Sequence, residues 1–97
     1  MIYVIDNNRG EKVATVLIEK IKGDFCSGKI MKHSFTKAQI DTIIEHEEMI
    51  NNQVFSLSDE MENKINSLEF SLRDSHQKIY DLQIWNLKEI SFRIENV

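Results

Sequence analysis

"GDFCSGKIMKHSFTKAQI", residues 23–40, holds the choice between two kinds of fold. Its first seven residues read G-x-x-x-x-G-K, one residue short of a nucleotide-binding phosphate loop. Such a loop curls backbone N–H groups around phosphates and sends its lysine to the β and γ oxygens. A Ser or Thr must follow to hold magnesium. Ile30 stands in that place. A helix should also open at the Gly-Lys, so that its N-terminus faces the phosphate. The clear helix start lies at Thr36, seven residues after Lys29. The segment therefore reads as a strand whose glycines permit close backbone approach. The parallel nucleotide-binding sheet gives way to an antiparallel one.

The helix start is legible in detail. Thr36 and Gln39 form a T-x-x-Q capping box, and Phe35 and Ile40 occupy the two positions of a hydrophobic staple. Ile40, Ile43, Ile44 and Ile50 are expected to make the inward stripe, with Asp41, Glu45 and Glu48 opposite. Glu47 falls among the isoleucines. Either the helix ends near it, or it is partly buried with a partner, since a lone buried carboxylate is costly. Ser58 reads as a second N-cap, with Asp59 and Glu60 favourably placed in the first turn. Leu57, Met61, Ile65 and Leu68 keep helical spacing, so a short helix is expected near 59–66.

Strands lie on either side. "MIYVI" (1–5) favours strand and runs into the turn-rich "DNNRGEK". "VATVLIEKI" (13–21) is apolar on both faces at first, as a central strand would be, and "FCSGKIMKHSF" pairs back on it. After the helices, period two takes over. Leu68, Phe70 and Leu72 share one face; Tyr80, Leu82 and Ile84 another; Ile90, Phe92 and Ile94 a third. "DSHQ" and "WNLK" are the connections. The order is βββααβββ. Short loops pair strands antiparallel, so the expected fold is a single α+β domain over residues 1–97. It has a mostly antiparallel sheet of about six strands, with one long and one short helix on one face.

Composition narrows the function classes. The apolar fraction is 41% and the charged fraction 29%, which is an ordinary globular balance. No run approaches a membrane span, and the N-terminus lacks the basic region of a secretory signal. The expectation is a cytoplasmic chain away from membranes. A single cysteine permits neither an internal disulfide nor a thiolate zinc site. "HEEMI" (46–50) begins like the zinc-protease motif, but Ile50 replaces the second histidine. No metal and no cofactor are expected. Cys26 could serve as a nucleophile only with a depressed pKa and a base, for which His33, His46 and His76 are the candidates. Burial is the commoner fate of a free cysteine.

The net charge of −4 is unevenly spread. Residues 1–37 carry seven Lys/Arg against four acids. Residues 38–63 carry no Lys or Arg and seven acids, and residues 64–97 carry five of each sign. A helical face normally mixes signs for i,i+4 support. One that forgoes it suits a basic partner and repels nucleic acid. Trp85 is expected in the core first. If it is exposed at a strand end, it is an interface anchor. The candidate contact set is Asp41, Glu45, Glu48, Asp59, Glu60, Glu62 and Trp85.

Three stretches carry a resemblance: "GDFCSG", "MINNQVFSLSDEMENKINSLEF" and "KIYDLQIWNLKEISFRI", spanning roughly residues 23–95. Together they resemble small immunity proteins of bacterial contact-dependent growth inhibition and related polymorphic toxin systems. The likeness rests on a helix, an "N-x-Q-x-x-S-L-x-D" segment near 52–59 and late strands with "D-L-Q-I". It implies a non-catalytic cytoplasmic protein, monomeric or weakly dimeric, that neutralises the C-terminal toxin domain of a matching effector. Such toxins are often basic nucleases, and the acidic segment agrees with that. It supplies no contact residue. Two alternatives stand beside it: a small cysteine-dependent enzyme using Cys26, and an oligomeric structural or regulatory subunit paired through an edge strand.

Overall fold

A computed structural model of the protein describes residues 1–52 and 58–95. Each apolar run between turn residues becomes a strand. These are β1 (Ile2–Asp6), β2 (Lys12–Lys22), β3 (Phe25–His33), β4 (Ser71–Leu72), β5 (Ile79–Trp85) and β6 (Glu89–Ile94). Between β3 and β4 lie α1 (Lys37–Asn51) and α2 (Ser58–Asn66). The element order is βββααβββ, as expected. All pairings are antiparallel, in the sheet order β4-β1-β2-β3-β6-β5.

The sheet curls until its two ends meet. β4 pairs with β1 on one side, while Ser71 bridges Lys78, just ahead of β5, on the other. The Leu72 N–H donates to the Gln77 carbonyl at 2.9 Å and the Ile79 N–H to the Phe70 carbonyl at 3.1 Å. Asp6, almost fully buried, closes the same corner by accepting from Arg73 Nε at 3.0 and 3.1 Å. Curling brings the inner side chains of distant strands together. Ile5, Val16, Cys26, Leu72, Ile84, Ile90 and Phe92 form one core with Ile43, Met61 and Ile65 from the helices. β4 has two residues and the helices pack against β5, so an oligomer through a long free edge has little template here.

The N-terminus of α1 forms as its sequence requires. The Gln39 N–H donates to Thr36 Oγ1 at 3.1 Å, and the Thr36 N–H donates back to Gln39 Oε1 at 2.8 Å. Phe35 is buried and Ile40 packs against the core. Further along, α1 is rotated from the expected stripe. Ile43 and His46 are buried and Met49 is partly so, but Ile44 and Ile50 are exposed. Glu47 explains the rotation. Half-buried, its Oε1 accepts from the Asn86 N–H at 2.9 Å, tying α1 to the turn between β5 and β6. In α2, Met61 and Ile65 are buried, whereas Leu57 and the Ser58 side chain lie outside what is described.

β5 departs from simple alternation. Asp81 and Leu82 together oppose Phe92, because Tyr80 pairs with Arg93 and Gln83 with Ser91. Asp81 takes the positive φ of 51° that such a bulge requires. The extra residue shifts the phase, so Ile79, Leu82 and Ile84 face the core and Tyr80 does not. The strand expected through Leu68–Arg73 shrinks to Ser71–Leu72, although Phe70 and Leu72 are buried as the alternation requires. Glu69 at φ 53° breaks the extended run.

Candidate functional site

"GDFCSGKI" is the β2–β3 turn and the strand after it. Gly23 supplies the turn with φ 62°. Gly28 sits mid-sheet, paired with Ile18 on one side and Ile90 on the other. A Cβ there would lie 1.9 Å from the Leu17 carbonyl oxygen, so the glycine is required by a close backbone approach and no anion cradle is needed to account for it. Cys26 is buried beside it. Burial, reinforced by the Asp24 charge, pushes its thiol pKa up, the opposite of what a nucleophile needs.

Among the described residues, no group of three His, Cys, Asp or Glu side chains could hold a metal ion. No described helix is long and apolar enough to cross a membrane.

The six candidate carboxylates, Asp41, Glu45, Glu48, Asp59, Glu60 and Glu62, are all exposed on α1 and α2, which pack against each other. Among the described residues only Glu45 has a cation, Lys64 Nζ at 2.9 Å, and both side chains of that pair are half exposed. The expected charge pattern is thus a surface fact. Asp59 and Glu60 occupy the first turn of α2, where negative charge suits the helix dipole.

Trp85 is not in the core. It is half-buried at the end of β5, and the register explains why. Lys29 pairs with Glu89 and Glu89 with Trp85, so the three side chains share the outer face of the sheet. An open groove of about 400 Å³ runs there past Glu19, Lys29, Gln83 and Glu89. Glu47 binds the N–H of the next residue, Asn86, which ties the β5–β6 turn to α1.

One polar network went unread in the sequence. Beyond Ser27, Ser91 and Gln83, Phe25, Arg93 and Tyr80 form a further row on the outer face. Arg93 donates to Asp24 Oδ1 at 2.8 Å and Tyr80 Oη donates to Asp24 Oδ2 at 3.0 Å. Arg93 Nε lies 3.6 Å from Asp81 Oδ2, and its guanidinium sits 5.7 Å from the Phe25 ring centre. The Tyr80 hydrogen bond, then the Arg93 charge, hold the Asp24 carboxyl below its ordinary range against the opposing effect of burial. These partners are 56 and 69 residues from Asp24, so no local motif signals them. Comparison with known family models, curated proteins and solved structures finds no match to this chain.

Proposed function

We propose that this protein is an immunity protein that binds and neutralises a basic toxin domain, with a nuclease as the target, and performs no catalysis. One observation carries the reading: six exposed carboxylates on two adjoining helices, five of them without a cation among the described residues. Self-repulsion on such a surface is relieved when a basic partner docks, and carboxylates can stand where a nuclease expects phosphates. Trp85, half-buried on the outer face of the sheet, supplies an aromatic anchor of the kind that concentrates binding energy. The buried, pKa-raised Cys26 argues against the cysteine-enzyme alternative.

The test is co-expression with a toxin domain encoded immediately upstream, where there is one. Rescue of growth together with co-purification of a 1:1 complex is expected. Asp41→Lys with Glu48→Lys should slow association by about tenfold at low salt, and the difference should vanish at high salt. Absence of both rescue and co-purification refutes the reading. Rescue with affinity and salt dependence untouched by the double reversal refutes the acidic-face mechanism.

A further inference from the structure

A second concavity lies where β3, α1, α2, β5 and β6 meet, with a volume of about 300 Å³. That is at the lower end of the range of roughly 300–1,000 Å³ typical of ligand sites. His46, Glu62, Asp81, Arg93, Phe25 and Gln83 are among its walls. His46 is 9% exposed. Its ring nitrogens are not sealed in the core but still reach the cleft, where something, water or a ligand, meets them.

The charges around it decide what that something is. Glu62 comes from α2, Asp81 from β5 and Arg93 from β6. Arg93 is already engaged by Asp24 and Asp81. Glu62 and Asp81 therefore line the cleft beside one guanidinium whose charge Asp24, outside the lining, already offsets, and the group as a whole balances at −2. Glu62 has no cation among the described residues. A neutral imidazole offers one acceptor nitrogen. Phe25 and Leu82 add apolar wall for a methylene stem.

We propose that this cleft receives a cationic side chain, arginine or lysine, with Glu62 as its counter-charge and His46 as an additional acceptor. The inference deepens the immunity reading and rests on it for the identity of the donor: the side chain belongs to the basic toxin. Burial lowers the His46 pKa, with the Glu62 charge opposing, which favours the neutral, accepting form. A bound cation should lower it further, and by linkage acid should expel the cation.

The test uses the whole protein without any toxin. N-acetyl-arginine methylamide, its lysine counterpart and the neutral isostere N-acetyl-citrulline methylamide are titrated by NMR. The arginine or lysine probe should shift the His46 ring protons and the Gln83 side-chain amide saturably. It should also lower the His46 titration midpoint. Citrulline should bind about tenfold more weakly, and Glu62→Gln, at an exposed helix position, should weaken cation binding by a similar factor. Preference for either cation supports the proposal and names the donor. Equal binding of citrulline, an unaffected Glu62→Gln, or shifts confined to Asp41 and Glu48 with His46 still would each overturn it. A protein that rescues growth but fails this titration loses the cleft and keeps the immunity reading. One that binds the cation without rescue keeps the cleft and loses the toxin.

Discussion

Replacing Gly28 by alanine adds one methyl group where there is no room for it. Its Cβ would stand 1.9 Å from the Leu17 carbonyl oxygen and 2.9 Å from Ile18 Cα. Ordinary contact begins at 3.4 Å, so β2 and β3 must separate locally by roughly 1.5 Å, the difference between the two. Both neighbours are backbone, and Gly28 is bracketed by β2 and β6, so neither side yields as a flexible side chain would. Forcing volume into packed structure costs about 1–3 kcal/mol. Stretching two ladder hydrogen bonds adds about 0.5–1.5 kcal/mol each. A loss near 4 kcal/mol is a large part of the ~5–15 kcal/mol that holds a domain together. At about 4–8 °C per kcal/mol, Tm should fall by about 15–30 °C. Far-UV circular dichroism follows the sheet, and fluorescence of Trp85, the sole tryptophan, follows the neighbouring strands. Gly10→Ala is the control: nothing lies within 4 Å there, and only its φ of 76° is strained. That strain costs about 1–2 kcal/mol. A Gly28→Ala protein melting within about 3 °C of wild type would refute the close-approach account of this segment.

Cys26 should resist iodoacetamide at neutral pH in the folded protein and react once urea unfolds it; mass spectrometry reads both states. Rapid labelling of the folded form would return the thiol to consideration as a nucleophile. Asp24→Asn should narrow the pH range of stability in a directed way. A carboxyl with a depressed folded pKa stabilises above its ordinary value of 3.8 and loses that contribution as pH falls through the lower folded value. The melting temperatures of wild type and Asp24→Asn should therefore differ at neutral pH and converge in acid. A gap independent of pH would mean that the Tyr80 and Arg93 contacts do not depend on the charge.

Local chemistry was legible wherever a few neighbouring residues settle it. The capping box needs only Thr36 and Gln39, and both of its hydrogen bonds are present. The Asn86-Leu87 turn within "WNLK", with φ of 53° and 55°, joins β5 to β6 as the spacing of the strands suggested. The order βββααβββ followed from period, and the exposure of the six acids followed from their type and spacing. Four features did not follow. The bulge at Asp81 leaves Ile79 inward and Tyr80 outward, since one extra residue inverts the alternation before it relative to that after it. The rotation of α1 was set by the Asn86 N–H, 39 residues from Glu47. Trp85 faces outward because its register partner is Glu89. His46 entered a cleft that needs five elements, β3, α1, α2, β5 and β6, in place before it exists.

By itself, then, the sequence determined the elements, their order and the sign of the helical surface. Those depend on propensity, capping and charge, which act within a few residues. Tertiary structure alone decided that the sheet curls until β4 meets Lys78, that Asp24 is held by Tyr80 and Arg93, and that the His46 imidazole shares a cleft with Glu62, which has no cation among the described residues. Each of these needs groups far apart in the chain to come within hydrogen-bonding or packing distance. That distance is fixed by the register of the strands, which periodicity does not encode.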